Sequence, residues 1–230
     1  MKILALDTAT ENCSAALWID GHLVQRELEA ERGHAELILG MIDELLRESA
    51  TQLEQMDAIA FGRGPGSFTG VRLAASVTQG LAFGAGVPIV PISDLRAVAQ
   101  RAAEGDVASQ RVLVCNDARM QEVYWACFER SPDGLMLPVG AEHVSKPSDV
   151  QLPDEWATRA INGAGRGFAA YTVLRMNLSD RLNRIDDAVL PGAREIAILA
   201  VADVRAGHVH PPEAAVPVYL RNDVATPKMP

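Results

Sequence analysis

The residues most able to do chemistry lie in a glycine-rich segment, GRGPGSFTGVR at 62–72, between a predicted strand and a predicted helix. Its glycines allow positive φ and close backbone approach, and the following helix begins with free N–H groups. The segment could therefore bind an anion or the backbone of a partner. A tight strand–helix connection capped by Ser67 or Thr69 would explain the same residues. A Walker loop is excluded, because it needs a lysine and none occurs between Lys2 and Lys146.

Two acidic residues at the ends of short apolar runs could bind a nucleotide. Asp7 follows the run 2–6 and precedes Thr10, so it could hold a hydrated Mg²⁺ and a phosphate, or it could simply close a turn. Asp117, with Arg119 two residues later, offers the same choice. If both acids ended equivalent strands in facing domains, they would line an interdomain nucleotide cleft.

Other arrangements typical of catalysis or metal binding are missing from the sequence. Ser67 has no base nearby in sequence and lacks the G-x-S-x-G spacing of a nucleophile. The five histidines include no i, i+4 pair and the three cysteines no C-x-x-C, so we expect neither a metal site nor a disulfide framework. The glycine cluster at 163–167 lacks the G-x-G-x-x-G pattern, which favours a tight strand–helix turn over a nucleotide loop.

The elements that would position these residues begin with a β-meander. Asp20-Gly21 between two apolar runs predicts a hairpin, because both turn residues tolerate positive φ. Apolar periodicity predicts the order βββαβαβ, which indicates a mixed sheet with helices on its face. The predicted elements are strands at 2–6, 13–18 and 23–28, a helix over 33–49, a strand at 57–62, a helix over 71–83 and a strand at 87–92.

The second half of the chain resembles the first in outline. After a helix over 95–103 and a polar linker at 104–110, a strand again ends at an aspartate and a second strand again carries a tryptophan. This repeat predicts two related domains, 1–105 and 106–230. A strand–turn–helix unit at 159–174, a helix over 193–206 and an extended, partly disordered tail from 211 complete the prediction.

The helix predicted over 71–83 is apolar on nearly every face, and the stripe on the helix over 33–49 is also wide. A helix that is apolar all round is buried on two sides. One side would pack on the sheet, and small residues on the other would admit a second helix closely. We interpret this face as a dimerisation surface, although the second domain could instead cover it.

Composition limits the classes of function. The chain has 230 residues, is 48% hydrophobic and carries a net charge of −9, which argues against an autonomous nucleic-acid binder. The N-terminal apolar run is too short for a signal peptide, and the low-charge stretch 73–95 is interrupted by glycines and prolines. We therefore expect a cytoplasmic protein with reduced thiols and no membrane contact.

Several of these motifs together resemble the bacterial TsaB (YeaZ) family. The resemblance covers residues 1–130 and the tail, with INGAGRGF between them. It is carried by LALDTATENCSAALW, GRGPGSFTGVR, PISDLRAVA, NDARMQEVYWACF and PVYLR. It implies an α/β, actin-like fold of the sugar kinase and Hsp70 type, with two related domains of mixed sheets and flanking helices.

The resemblance also implies a function through partners. The paralogue TsaD binds iron or zinc and transfers a threonylcarbamoyl group to N6 of adenosine 37 in tRNAs that read codons beginning with A. Its H-x-x-x-H metal motif would fall at 92–97, where this chain has no histidine. The resemblance therefore implies a non-catalytic activator of a TsaD-like transferase, joined by a TsaE-like ATPase. ATP and the metal would lie on the partners, tRNA would be met only through the complex, and no cofactor would bind tightly here.

Family members also form homodimers through the two N-terminal helices, the surface that TsaD would use. The residues this assigns to a partner interface are Leu37, Ile38, Met41, Leu45, Gly64, Pro65, Gly66, Ser67, Phe68, Thr69, Gly70, Arg72, Ala75 and Val77. A vestigial nucleotide cleft would comprise Asp7, Thr10, Asp117 and Arg119. The actin-like phosphate loop has glycine where this chain has Ala9, which speaks against ATP hydrolysis by this chain. A free-standing actin-like ATPase or kinase and a metallopeptidase remain the alternatives.

Overall fold

The computed structural model describes residues 1–104, 110–157 and 159–221, and within these ranges the strands form two sheets of five. The first sheet has the order β3-β2-β1-β4-β5 and the second β8-β7-β6-β9-β10. The strands are β1 (Lys2–Asp7), β2 (Asn12–Ile19), β3 (His22–Glu29), β4 (Ala58–Gly62), β5 (Ile89–Ile92), β6 (Arg111–Asp117), β7 (Val123–Arg130), β8 (Met136–Ser145), β9 (Ile161–Ala164) and β10 (Leu182–Asp186). The helices are α1 (His34–Glu48), α2 (Phe68–Ala85), α3 (Asp94–Glu104), α4 (Gly167–Ala170), α5 (Thr172–Asn177) and α6 (Ala193–Arg205).

The two sheets repeat one plan. In the first, β1 pairs antiparallel with β2 and parallel with β4, while β3 and β5 take the edges. In the second, β6 pairs antiparallel with β7 and parallel with β9, while β8 and β10 take the edges. The predicted hairpin is present, with φ of 48° at Asp20 and 97° at Gly21. The predicted actin-like arrangement of two related mixed sheets with flanking helices is confirmed.

Each face of the first sheet is covered by different helices. Alternate side chains of a strand point to opposite faces. Leu4 and Leu6 pack in one core with α1 and α2, and Ile3 and Ala5 pack in another with α6. Two wide faces are thereby buried, which is where most of the stabilisation of such a domain arises.

The helices exchange between the halves of the chain. Helix α6, from the C-terminal half, contacts β1, β2 and β4 of the first sheet. Helix α3, from the N-terminal half, contacts β6 and packs with Val112 and Val114 of the second sheet. The predicted linker at 104–110 lies outside the described residues except at its two ends, and so does the tail from 222. The predicted boundary at 105 stays a prediction.

Element boundaries differ from the predictions in two instructive places. Helix α2 begins at Phe68, three residues earlier than predicted, because Ser67 caps it. Strand β8 was not predicted, since Pro138 breaks the strand pattern of its sequence. Because β8 is an edge strand, a proline there costs little of the ladder.

Candidate functional site

Residues 63–67, called the glycine loop below, pack directly against the turn between β1 and β2. The Ser67 N–H donates to the Ala9 carbonyl at 2.7 Å, and Thr8 Oγ1 donates to the Gly70 carbonyl at 2.7 Å. A β-carbon on Gly66 would lie 2.6 Å from that Ala9 oxygen, and one on Gly70 would lie 2.0 Å from the Thr8 oxygen. These two glycines are therefore required by close backbone approach.

Ser67 is the N-cap of α2. Its backbone is extended, with φ −60° and ψ 132°, and its Oγ accepts a hydrogen bond from the Gly70 N–H at 3.2 Å. This is the capping role that the sequence offered for Ser67 or Thr69. Thr69 is instead an exposed residue in the first turn of the helix.

Beneath the glycine loop, two completely buried carboxyl groups lie together, Asp7 at the end of β1 and Asp94 at the start of α3. Asp7 Oδ1 accepts from the Ala9 N–H at 2.8 Å, and Asp94 Oδ2 accepts from the Gly64 N–H. Burial raises the pKa of Asp7 to about 6. Burial and the charge of Asp7 raise the pKa of Asp94 well above its usual range.

Sequence reasoning missed Asp94. An aspartate at the first position of a helix normally lies in solvent and stabilises the helix dipole. Only the fold shows that the Asp94 side chain is buried. Asp7 lies 87 positions earlier in the sequence, so no local motif could indicate that the two acids meet. Ser93, which precedes Asp94, caps α3, with its Oγ accepting from the Arg96 N–H at 3.2 Å. The segment 92–97, which the resemblance aligns with a metal motif, is thus held by structural contacts.

A cleft of about 1030 Å³ opens between the two sheets, beside the glycine loop. Thr10, Asp117 and Arg119 line it as predicted, and Asp7 does not. Asp117 accepts from Tyr171 Oη at 2.9 Å and from Arg119 Nη1 at 3.1 Å. The Thr10 carbonyl faces the ring Nε2 of His34 at 2.9 Å, and the Thr10 hydroxyl accepts from the backbone N–H of the residue two positions later.

The repeat pairs Asp7 with Asn116 rather than with Asp117. Asp7 shares its sheet face with Ile3 and Ala5, which α6 covers, and Asn116 shares its face with Val112 and Val114, which α3 covers. Asp117 lies on the opposite face. The sequence motif, which matches Asp7 with Asp117, is therefore displaced by one residue from the structural match of Asp7 with Asn116.

The C-terminal segment at 218–221 closes one side of the cleft. The Val218 N–H donates to the Arg63 carbonyl at 2.8 Å, and Arg221 donates to the Ala118 carbonyl at 3.2 Å. The segment therefore joins the glycine loop to the turn after β6. Next to it, the guanidinium carbon of Arg72 lies 3.2 Å from the ring centroid of Phe68 and 4.9 Å from that of Tyr219, a cation–π stack.

The predicted interface residues divide into three groups by exposure. Ile38, Leu45 and Ala75 are buried in the core of this chain, so their side chains hold α1 and α2 on the sheet and are not available to a partner. Gly64, Pro65 and Gly70 are buried as well. Leu37, Met41, Gly66, Arg72 and Val77 are half-buried, and Ser67, Phe68 and Thr69 are exposed.

Exposed apolar side chains complete the outer face of these two helices. Phe83 is 77% exposed, Phe68 61% and Leu39 52%. The predicted interface residues do not include Leu39 or Phe83. Leu39 lies outside the i, i+4 apolar stripe of its helix, and Phe83 contributes in the sequence only to the all-round apolar character of its helix. Gly40, Gly80 and Gly84 lie open, with nothing within 4 Å of a β-carbon built on them.

The remaining sequence candidates have structural roles. β-Carbons on Gly165 and Gly167 would each lie 2.6 Å from the Cys115 carbonyl oxygen, so the 163–167 cluster is the tight turn that its pattern favoured. The three cysteines are buried and free, and burial raises the pKa of each thiol. Within the described residues, no three His, Cys, Asp or Glu side chains form a cluster suited to a metal ion. No helix there is both long and apolar enough to cross a membrane.

Comparison with known proteins gives one consistent result. Residues 28–228 match the family model described as TsaD: tRNA N6-adenosine threonylcarbamoyltransferase. The chain is 42% identical to the tRNA threonylcarbamoyladenosine biosynthesis protein TsaB of Escherichia coli K12, over 100% of this chain and 99% of that protein. It is 41% identical to the protein of the same name from Haemophilus influenzae, over 100% and 98%. The solved structure of YeaZ from Pseudomonas aeruginosa superposes with a TM-score of 0.85 at 40% identity, over 95% and 99% of the two chains.

Proposed function

The chain belongs to the TsaB family, and from that premise we propose that it is a non-catalytic subunit for threonylcarbamoyladenosine formation in tRNA. It binds a TsaD-like transferase through the outer face of α1 and α2 and thereby activates the transferase. The modified base is adenosine 37 of tRNAs reading codons that begin with A, and the assembly works in the cytoplasm.

The observation that carries this proposal is the exposure of three large apolar side chains on the two helices, Leu39 on α1 and Phe68 and Phe83 near the two ends of α2. Large apolar side chains with a neighbouring open backbone allow a partner helix to pack closely, and a few such anchors supply most of an interface's affinity. The second half of the chain was the other candidate to cover this face. All three side chains stay more than half exposed, although Arg72 and Tyr219 lie against the Phe68 ring, and this exposure supports a partner surface.

The finer features of the proposal follow the family. The same face forms homodimers when the transferase is absent, because one surface serves both contacts. A TsaE-like ATPase joins the complex, and tRNA is met only there, which agrees with the net charge of −9 on this chain. ATP and the metal belong to the partners. In support, Asp7 is completely buried beneath the glycine loop and Asp94 fills part of the segment aligned with the metal motif.

The test is a paired substitution on the proposed face with a matched control elsewhere. Leu39→Glu with Phe83→Glu places one charge on each of the two helices, and we expect the affinity for the TsaD-like protein of the same organism to fall by at least about thirtyfold. The control is Met176→Glu, an equally apolar and 70% exposed side chain on α5. All three sites are solvent-exposed, so folding should be unchanged in both variants.

Reconstitution gives the functional readout. Purified transferase, ATPase and tRNA should form threonylcarbamoyladenosine with this chain or with the control, and should lose that activity with the double variant. Unchanged affinity of the double variant would refute the interface. Full activity without the chain would refute the activating role.

A further inference from the structure

The buried pair Asp7 and Asp94 lacks a hydrogen-bond donor where the two carboxyl groups meet. Asp7 Oδ2 and Asp94 Oδ1 are buried, and neither has a partner among the described residues. A β-carbon on Gly62 would lie 2.3 Å from Asp94 Oδ1 and 2.7 Å from Asp7 Oδ1, so both side chains converge above this one glycine. Two carboxylates in this setting would repel each other without water to screen them.

The surroundings supply too little positive charge to keep both acids ionised. The titratable groups that act on the pair are His34 at the start of α1, Arg63 in the glycine loop and the Cys13 thiol of β2. Arg63 donates to Glu142 of β8 at 3.0 Å, so a carboxylate already shares its charge. His34 has its Nε2 at the Thr10 carbonyl. The missing donor is therefore most simply a proton on one of the acids.

We propose that Asp7 and Asp94 share one proton and act as a latch that positions the glycine loop, and through it the N-terminus of α2. The shared proton itself does not depend on the proposed function. Only its consequence does, namely that partner binding through α2 becomes sensitive to pH.

The hydrogen bonds of the pair reach both ends of the glycine loop. Asp94 binds Gly64 twice, accepting from its N–H and donating its own N–H to the Gly64 carbonyl at 3.1 Å. Asp7 holds the N–H of Ala9, and the Ala9 carbonyl accepts from Ser67, the cap of α2. Repulsion between two ionised acids would therefore move the contact at Gly64 away from the contact at Ser67. The acids would in this way shift the N-terminus of α2 without contacting a partner themselves.

The direction of the pH effect follows from where the proton is held. Unfolding returns both acids to an ordinary pKa near 4, so above that value the folded chain binds more protons than the unfolded chain. The stability that the pair contributes is therefore present at low pH and is lost as pH rises. The contribution of Asp7 is lost by the time the pH passes its pKa of about 6, and that of Asp94, whose pKa is raised well above its usual range, is lost at higher pH. While one extra proton is held, the unfolding equilibrium constant rises tenfold per pH unit.

The direct test follows the carboxyl carbons of the unmutated protein. With ¹³C-labelled aspartate, one carboxyl resonance of the pair should remain in its protonated position at pH 7, and Asp7→Asn and Asp94→Asn assign the two signals. If both resonances report ionised carboxylates at pH 7, the latch is wrong. This measurement needs no partner, so it can fail while the proposed function stands, and it can succeed if that function fails.

Substitution tests the positioning role. Asp94→Asn keeps an oxygen for Gly64 and places a permanent N–H donor toward Asp7, so it should fold and should lose the tenfold change per pH unit between pH 6 and 8, measured by urea unfolding. Asp180→Asn, at an exposed acid, is the control and should keep the slope of the unmutated chain. Affinity for the transferase should weaken with rising pH in the unmutated chain and stay level in Asp94→Asn. Equal slopes in all three proteins would overturn the proposal.

Discussion

Replacing Gly80 with alanine should separate the stability of the chain from its binding. Gly80 is an exposed residue inside α2, and a β-carbon there meets nothing within 4 Å. Alanine is favoured over glycine in a helix interior by about 0.8–1.0 kcal/mol, so the isolated chain should gain about that much stability. For a protein of this size the gain corresponds to a rise in melting temperature of about 2–4 °C.

The same methyl group should weaken the partner complex. If a helix of the transferase packs against the open backbone at Gly80, an added β-carbon overpacks the contact by about 1–3 kcal/mol, or about five- to 150-fold in affinity. Ser76→Ala, one turn earlier on the exposed side of α2, removes an atom from the same face and is the matched control.

The melting temperature of the isolated chain, taken at several dilutions, measures the change in stability. Titration calorimetry with the transferase measures the change in affinity. A stabilised Gly80→Ala chain that binds with unchanged affinity would show that this part of α2 stays in solvent in the complex. That result would refute the assignment of the surface, whereas a loss of stability would contradict the exposed position of Gly80.

Substitutions at three further positions, two at the start of α2 and one between α3 and α6, are tested by chemical unfolding. Gly70→Ala should destabilise the chain by at least about 2 kcal/mol in spite of its better helix propensity, since the β-carbon would lie 2.0 Å from the Thr8 oxygen; an increase in stability would contradict the packing of the loop. Ser67→Ala should cost about 1 kcal/mol through loss of the cap, and Ser67→Asp should recover most of it. Arg101→Met should cost about 3 kcal/mol, because Arg101 donates at 3.0 Å to the buried Glu195. Arg194 Nη1 donates to the other carboxylate oxygen of Glu195 at 3.0 Å, and a neutral effect of Arg101→Met would show that this bond alone satisfies Glu195.

Local sequence signals predicted the parts of the fold that depend on local physics. Asp20-Gly21 predicted a hairpin because its positive φ values are a property of those two residues. The apolar stripe of α1 predicted a helix because its period is that of the helix itself. The strand–aspartate–strand outline predicted the repeated sheet, although its register was displaced by one residue.

The parts that could not be predicted depend on distant contacts. Helices α3 and α6 are both rich in alanine, and both sheets offer faces of small apolar residues, so nothing in either helix indicates which sheet it covers. The burial of Asp94 likewise follows from the approach of α3 to the end of β1. Among the interface candidates, Ile38 came from the apolar stripe of α1 and Phe68 from the glycine-rich segment, and only the fold shows that the first is buried and the second exposed.

The exchange of helices makes the proposed partner surface depend on residues that do not belong to it. Helices α1 and α2 lie on one face of the first sheet, and the opposite face is covered by α6 from residues 193–205. A chain ending at residue 105 would therefore expose Ile3, Ala5 and their neighbours to water, and the sheet that supports the surface would lose the cover of one of its two faces. Helix α3 makes the reverse exchange. It begins at Asp94, beside the end of β1 in the first sheet, and packs in the core of the second sheet. The surface on α1 and α2 is thus a property of the whole chain, and the C-terminal half contributes to binding by stabilising the sheet beneath it.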